Sequence, residues 1–380
     1  MGNTMRNTKR NASSLSSLKH YCLFASGIVV SLTASAQSSV ALYGRIDTSV
    51  EYANFGPSHT LHMGSSDIGA TNWGIKGIED LGGNLKAIFK LESGFNSADG
   101  TMAQSGKMFG REAWVGLSGN FGTFQLGENY TPIHTILVTY SLPAKGAGLG
   151  WGNATDNFLY GPLVRTSNSV RYVSPRVAGF LLRGLVARGN NGTSSSAPAS
   201  LGDTYALGIN YAKGPLQIDV GYELQRFSPV TTLTSTSPVD AGNYAAAGVS
   251  YDFGFVKPAF LYLRHRGGQN VAAQGATNYA NPQSDIYELS AQIPLGIGAL
   301  LVDYGHYRLV ANSNGNANSA ALRYDYPLSR RTIVYTGVQQ VWNGSAAAFT
   351  MNTAGGVSTL TPPAKGQNSN AVIAGIVHTF

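Results

Sequence analysis

The stretch PLQIDVGYELQRF, residues 215–227, alternates between apolar and polar side chains. Ile218 and Val220 fall on one face of an extended chain, while Asp219 and Glu223 fall on the other. A period of two is typical of a β-strand whose two faces meet different surroundings. The apolar face therefore has to leave water, either for the core of a soluble sandwich or for the hydrocarbon of a membrane.

The composition of the chain favours strands over helices. Of its 380 residues, 43% are hydrophobic and only 12% are charged, and that charged share is about half of what soluble globular proteins carry. The 47 glycines and 20 tyrosines suit an all-β chain with many turns. No segment of the mature chain is apolar for long enough to span a membrane as a helix, so a membrane location requires strands.

Residues 1–36 predict a secretory signal peptide, which leaves residues 37–380 as the mature domain. Basic residues precede an apolar run that ends at the small-residue site Ala34-Ser35-Ala36, and the run is too short for a membrane anchor. The basic residues are Arg6, Lys9, Arg10 and Lys19. Cleavage removes these four bases and no acid, so the formal net charge falls from +7 to +3. The only cysteine, Cys22, is lost as well. The mature chain then has no disulfide or thiol nucleophile, and nothing favours nucleic-acid binding.

About sixteen segments of the mature chain predict strands, because they combine alternation with β-branched and aromatic content and are bounded by Gly, Pro or Asn. They cover residues 40–52, 71–79, 84–95, 110–118, 122–130, 167–174, 179–189, 203–213, 215–227, 243–253, 255–266, 284–293, 298–310, 319–326, 331–342 and 371–380.

The connections between these segments alternate in length. Short turns such as 80–83 and 327–330 alternate along the chain with long connections such as 53–70 and 131–166. This rhythm is typical of an antiparallel up-and-down meander whose two ends face different surroundings. Closing about sixteen such strands into a transmembrane β-barrel pairs every backbone group and encloses a lumen wide enough for water.

Parity then predicts which charges face the lumen. On the first strand Arg45 and Asp47 share the polar face, and on the third Lys86 and Lys90 do so opposite an apolar face. A charged Arg or Lys on the lipid face near mid-bilayer costs about 2 to 4 kcal/mol, so the charges should point inward. The same rule assigns to the lumen Glu51, Glu92, Arg171, Arg183, Arg264, Arg266, Glu288, Arg323 and Asp325.

The loop at 131–166 is the longest connection and among the most apolar. An exposed loop seldom carries Ile133, Ile136, Leu137 and Tyr140 without a surface to pack on. The sequence therefore predicts that this third long loop folds into the lumen and narrows it. An outward loop at a subunit contact is the alternative.

Several motifs closely resemble the Gram-negative general porins, especially their betaproteobacterial branch. They are VALYGRID (40–47), NWGIKGIEDLGGNLKAIFKLESGF (72–95), FGREAWVGLSGNFGTFQLGENYTP (109–132), NSVRYVSP (168–175) and a closing strand that ends in Phe380. The resemblance implies a homotrimer in outer-membrane lipid and passive diffusion of ions and small hydrophilic solutes. It also implies a third loop that forms a constriction, and Phe380 as the end of the signal for the barrel-assembly machinery.

The resemblance further implies a basic ladder on the barrel wall, with Arg45 as one member and Lys76 in the WGIKG motif nearby. Two positions depart from that family pattern, since Asn72 and Glu128 stand where arginine is usual. The third loop carries one acid, Asp156, together with Lys145. We therefore expect a weakened or locally inverted field across the constriction, with Glu128 and Lys145 as candidate partners.

Two other classes of function compete with a channel. An outer-membrane hydrolase would need a nucleophile oriented by a base, and the six mature histidines, among them the loop pair His59 and His62, form no such motif and no metal site. A surface adhesin acting through its loops is the second alternative. We expect no enzyme activity, catalytic residue, cofactor or metal, and no nucleic-acid partner.

Overall fold

The structure is a computed structural model that describes residues 38–104, 106–143, 151–152, 154, 164–189, 202–226, 241–267, 283–310, 312–351 and 363–380. The predicted signal peptide and two candidate site residues, Lys145 and Asp156, lie outside this set.

The described residues form seventeen β-strands, one α-helix and one short 3-10 helix. The strands are β1 (Ser39–Asn54), β2 (His59–Ser65), β3 (Asn72–Gly82), β4 (Leu85–Gly94), β5 (Glu112–Gly119), β6 (Gly122–Tyr130), β7 (Arg165–Val173), β8 (Phe180–Ala187), β9 (Thr204–Lys213), β10 (Leu216–Arg226), β11 (Ala241–Tyr251), β12 (Lys257–Arg266), β13 (Ser284–Leu295), β14 (Gly298–Leu309), β15 (Ala317–Pro327), β16 (Thr332–Asn343) and β17 (Ser369–Thr379). Helix α1 spans Pro132–Tyr140, and the 3-10 helix spans Ser313–Gly315.

The strands form a closed antiparallel barrel. From β3 to β17 each strand pairs with the next one in the chain. The last strand closes on the first, with Arg45 opposite Thr379. Both β2 and β3 pair with β1, on its second and first halves respectively. These two strands share one place in the ring, so the seventeen described strands fill sixteen positions, as the sequence predicts.

The predicted loop at 53–70 is partly wrong, because it contains β2. The segment HTLHMGS places Leu61 and Met63 on the outer face and His62 on the inner face, opposite Glu51. Its two histidines and its short length hide the alternation. The alternation of short and long connections is otherwise confirmed, and both described termini lie at the short-turn end, where β1 meets β17.

Exposure alternates along the strands as the opening stretch predicts. On β10, Val220 is 47% exposed and Tyr222 is 48% exposed, whereas Asp219 and Glu223 are buried. The outer wall is therefore apolar and suited to hydrocarbon, while polar groups line the inner wall. No helix among the described residues has the length and apolar character needed to cross a membrane.

The prediction that Arg264 and Arg266 face the lumen is wrong. Both share a face of β12 with Phe260, which is 40% exposed on the outer wall, while Leu261 and Leu263 are buried on the inner wall. Both faces of β12 carry apolar side chains, so parity alone could not tell inside from outside. The inner face is apolar here because α1 packs against the same side of the sheet.

Helix α1 supplies much of the buried apolar core. The Thr131 side chain caps the helix by accepting a hydrogen bond from the backbone N–H of His134, and Pro132 occupies the first turn, where its missing N–H costs nothing. Apolar side chains of the helix pack with those on the inner faces of β11, β12 and β13. The helical members are Ile133, Ile136, Leu137 and Tyr140.

Candidate functional site

The inner wall around β4 and β5 carries a dense network of opposite charges. The Nζ atom of Lys90 lies 3.0 Å from Glu92 and also contacts Glu112. Glu92 accepts hydrogen bonds from the Tyr43 hydroxyl at 2.7 Å and from the Arg111 Nε at 2.6 Å. Each acid is thus shared among several donors, which fixes these side chains against the wall.

Glu128, one of the two departures from the family pattern, has its partner on the preceding long connection. Lys107 Nζ lies 2.8 Å from Glu128 Oε2, and the Ser167 hydroxyl donates to the same oxygen at 2.9 Å. Lys107 is half exposed, so this pair is in contact with solvent. Lys145, the expected partner of Glu128, lies outside the described residues.

Two arginines that parity predicts to face the lumen lie on the neighbouring strands β7 and β8. Arg171 donates to the amide oxygen of Gln125 at 2.8 Å, and Arg183 donates to Asp219 at 2.6 Å. Arg45, the arginine expected in the basic ladder, is half-buried on β1, directly opposite Asn72 in the β1–β3 pair. Bases therefore follow the inner wall from β1 through β8.

Two predicted lysines on the inner face of β3 and β4 are exposed. Lys76 lies 5.2 Å from the centre of the Tyr43 ring, and Lys86 stands beside the turn that joins β3 to β4. No described carboxylate forms an ion pair with either Lys76 or Lys86. Within the described ranges, no three His, Cys, Asp or Glu side chains converge where they could hold a metal ion.

The start of the third long loop is fixed against β10, β11 and β13. The Tyr140 hydroxyl donates to Asp219 at 2.6 Å, and its carbonyl accepts a hydrogen bond from the Ser290 hydroxyl at 3.1 Å. The Tyr140 ring lies on Gly248, where an added Cβ would come within 2.7 Å of three ring atoms. The bare backbone at this position allows the close approach of the loop.

Later residues of the same loop are held by strands β1, β14 and β15. Arg323, only 2% exposed, binds Asp325 at 2.9 Å and donates to the carbonyl oxygens of Trp151 and Pro143. The Trp151 indole N–H donates to Glu51 at 3.0 Å. Ala154 N donates to Asp303 at 3.0 Å. The third long loop therefore contacts strands β1, β10, β11, β13, β14 and β15.

Asp47, predicted to line the lumen, is fully buried and holds the connection between β2 and β3. Its Oδ2 accepts hydrogen bonds from the backbone N–H groups of Ile68 and Gly69, and its Oδ1 accepts one from the Tyr335 hydroxyl at 2.6 Å. Asp67 lies within the same connection. Burial, reinforced by the charge of Asp47, raises the pKa of Asp67 well above its ordinary value.

The C-terminal Phe380 closes the seam of the barrel. Its backbone exchanges hydrogen bonds with Gly44 in both directions, at 3.0 and 3.2 Å. The ring covers Gly44 so closely that an added Cβ would lie within 2.9 Å of its Cζ and Cε1 atoms. The glycine in the VALYGRID motif thus accommodates the terminal aromatic ring.

Several site residues were missed from the sequence. Arg111 and Glu112 belong to the quoted FGREAWVGL motif. Glu112 begins β5 opposite Glu92, so inward parity could have found it, whereas Arg111 precedes the strand and has no parity signal. Lys107 and Trp151 lie in connections without periodicity, and nothing in the sequence indicates their partners.

A closed antiparallel barrel with an apolar outer wall and a charged inner wall defines an integral outer-membrane channel. Comparisons with known proteins agree. The family model described as Gram-negative porin matches residues 23–346. The chain is 30% identical to outer membrane porin protein 32 of Delftia acidovorans, over 93% of this chain and 97% of that protein. It is 31% identical to an outer membrane porin protein of Bordetella pertussis, over 80% of this chain and 88% of that protein.

Among solved structures, the anion-selective porin from Comamonas acidovorans matches with a TM-score of 0.77 and 28% identity, over 90% of this chain and all of that one. The chain belongs to the Gram-negative porin family. It is an integral outer-membrane protein that forms a channel for passive diffusion of ions and small hydrophilic solutes. Its relatives are channel proteins rather than enzymes.

Proposed function

We propose that this channel favours small anionic solutes and that the third long loop narrows it from within. The observation that carries the proposal is the surplus of bases on the inner wall from β3 to β8. Lys76 and Lys86 form no ion pair with a described carboxylate, and Arg171 donates a hydrogen bond to the neutral amide of Gln125. Unneutralised cations in a confined aqueous passage raise the local concentration of anions.

Most acids on the inner wall are buried or paired with other bases, and the exposed Asp80 stands opposite Lys86 in the β3–β4 register without an ion pair. Glu92 and Glu112 neutralise Lys90 and Arg111. Asp47, Asp219 and Glu51 are no more than 1% exposed. A permeating ion therefore meets bases on an accessible surface, while many of the acids lie behind other groups. The Comamonas relative, described as anion-selective, supports the same sign.

The proposed narrowing is supported by the contacts of the third long loop. Tyr140, Trp151 and Ala154 all bind acids of the inward-facing parity, on β10, β1 and β14 respectively. With the loop held at these places, the open passage for solutes would lie between α1 and the basic wall formed by β3 to β8. Lys145 and Asp156, which lie outside the described residues, belong to this loop and remain candidates for the constriction.

The sign of selectivity is measured by the zero-current potential of the reconstituted protein across a tenfold KCl gradient. We expect an anion-selective potential for the wild type. The variant with Lys76→Gln and Lys86→Gln should move that potential toward the cation side. Lys213→Gln is the matched control, because Lys213 is exposed at the same end of the barrel but on the outer face of β9.

A wild-type potential on the cation side would overturn the proposal of anion preference. Equal shifts for the double variant and for Lys213→Gln would show that the inner lysines have no special role. Cysteine substitutions at exposed lumen positions, followed by blockade with a charged thiol reagent, would separately test the path of solutes.

The assembly follows the family resemblance. We propose a homotrimer in outer-membrane lipid, export by a signal peptide that is cleaved after Ala36, and recognition of Phe380 by the barrel-assembly machinery. Single-channel records should show closures in three equal steps, and the mature N-terminus should begin at Gln37. Single-step closure or retention of residues 1–36 would refute the corresponding statement.

A further inference from the structure

Three arginines stand on the outer wall at the long-loop ends of β12 and β14. Arg264 and Arg308 are exposed, and Arg266 is partly buried. They share parity with Phe260, which is 40% exposed, and with Tyr304, which is 50% exposed. A charge on the outer wall is costly at mid-bilayer depth, so these three arginines need a polar environment outside the hydrocarbon.

The register of β12, β13 and β14 arranges this outer surface in three rows. The first row is Phe260, Leu289 and Tyr304; the second is Tyr262, Tyr287 and His306; the third is Arg264, Asp285 and Arg308. Successive rows are two residues apart, which is about 7 Å along a strand. Towards the long loops, the surface therefore changes from apolar to aromatic to charged.

This order matches the profile of a membrane boundary. Apolar side chains suit the hydrocarbon, aromatic rings with a polar group suit the interface, and arginines suit the headgroup layer. The Tyr262 and Tyr287 rings lie 5.1 Å apart, which is consistent with an aromatic girdle. Long loops mark the extracellular side, so the arginines lie at the headgroups of the outer leaflet.

Two of the arginines are held in place by one buried acid. Arg266 binds both oxygens of Asp285, at 2.9 and 3.1 Å, and Arg308 lies 3.4 Å from the same carboxylate. The Tyr262 hydroxyl donates to Asp285 at 3.0 Å. Arg264 stands opposite Asp285 in the strand register, and no hydrogen bond or ion pair joins it to a described residue.

We infer that Arg264, Arg266 and Arg308 bind the phosphate groups of an anionic glycolipid in the outer leaflet. One guanidinium group donates two parallel hydrogen bonds to the oxygens of a phosphate group. Asp285 fixes the orientation of Arg266 and Arg308 before a lipid binds. The exposed apolar row of Phe260, Leu289 and Tyr304 lies where the acyl chains of the same molecule would run. A free phosphate ion would gain nothing from that row, so the surface fits a lipid.

The test is lipid binding by the purified mature protein in detergent, measured by native mass spectrometry. The probe is diphosphoryl lipid A, with its dephosphorylated form and inorganic phosphate as competing species. The variant carries Arg264→Gln, Arg266→Gln and Arg308→Gln. The matched control carries Lys213→Gln, Arg330→Gln and Arg331→Gln, three exposed cations at the short-turn end.

We expect the outer-wall variant to bind diphosphoryl lipid A at least about tenfold more weakly, since it loses charge-assisted hydrogen bonds. The control variant should bind like the wild type, and the dephosphorylated lipid should bind all three proteins equally. Where the triple variant does not fold, Arg264→Gln alone should weaken binding by about threefold or more, because that guanidinium supports no described contact.

Equal affinity of the outer-wall and control variants for diphosphoryl lipid A would overturn the inference. Displacement of the lipid by inorganic phosphate at comparable concentration would show a free-ion site instead. Conversion of the assembled protein to monomers by the outer-wall variant would show a contact between copies of the chain, and would equally overturn it. None of these outcomes bears on the selectivity of the pore.

Discussion

Replacing Gly248 with alanine should push helix α1 away from the strands beneath it. An added Cβ would come within 2.7 Å of the Cγ, Cδ2 and Cε2 atoms of the Tyr140 ring. Carbon atoms pack at about 3.5 to 4.0 Å, so the ring must withdraw by at least about 1 Å. That movement pulls the Tyr140 hydroxyl away from Asp219, to which it now donates at 2.6 Å.

The cost has two parts. Inserting a methyl group into a packed contact costs about 1 to 3 kcal/mol. Loss of the hydrogen bond to the Asp219 carboxylate costs about 1.5 to 3 kcal/mol more. The docking of the loop should therefore weaken by about 2.5 to 6 kcal/mol if the hydrogen bond breaks completely. The barrel strands keep their own pairing, so the fold should survive.

The assay is single-channel recording combined with thermal unfolding of the detergent-solubilised protein. Because α1 shifts towards the proposed passage, the Gly248→Ala variant should show lower mean conductance, greater open-channel noise and a lower unfolding temperature. Gly184→Ala is the control, since an added Cβ at Gly184 meets no heavy atom within 4 Å. If the two variants share conductance, noise and unfolding temperature, the close packing of loop and wall is not what positions the loop.

Three further changes test other contacts. Tyr140→Phe removes the donor to Asp219 and should raise open-channel noise without changing the sign of selectivity; a shifted zero-current potential would contradict this. Glu128→Gln releases Lys107 from its carboxylate and should increase anion preference in a salt gradient, and a shift towards cations would count against the pair. Phe380→Ala uncovers Gly44 and should reduce the yield of folded barrel on heat-modifiability gels, whereas wild-type yield would show the ring to be dispensable.

The sequence was sufficient for the barrel because its decisive signal is local. Alternation in stretches such as residues 215–227 follows from the strand period, and the structure buries Asp219 and exposes Val220 accordingly. The count of alternating segments predicted the number of positions in the ring. It could not reveal that β2 and β3 share one position, because that depends on which half of β1 each strand meets.

The sequence was a weaker guide to the site because partners there are far apart in the chain. Lys107 lies on the connection between β4 and β5, whereas Glu128 lies on β6. Their pairing depends on the path of that connection, which has no periodic signal in the sequence. The misassigned Arg264 and Arg266 show a second limit. Where a loop covers the inner wall, the side chains of that wall are apolar as well. When both faces of a strand are apolar, the sequence pattern cannot show which face points into the barrel.

Counting the charges of inward parity therefore gives a misleading view of the field that a solute meets. Asp47 is used to hold the connection between β2 and β3, while Asp219, Glu51 and Asp303 accept hydrogen bonds from the third long loop. These acids are fully or almost fully buried, whereas Lys76 and Lys86 are exposed. Hydrogen bonds from these neutral donors do not cancel the carboxylate charges, but burial keeps the acids out of direct contact with a permeating ion, whereas the exposed lysines can meet it. The small formal surplus of bases predicted for the mature chain is therefore larger at the accessible wall, and the proposed preference for anions depends on the acids that anchor the loop staying buried.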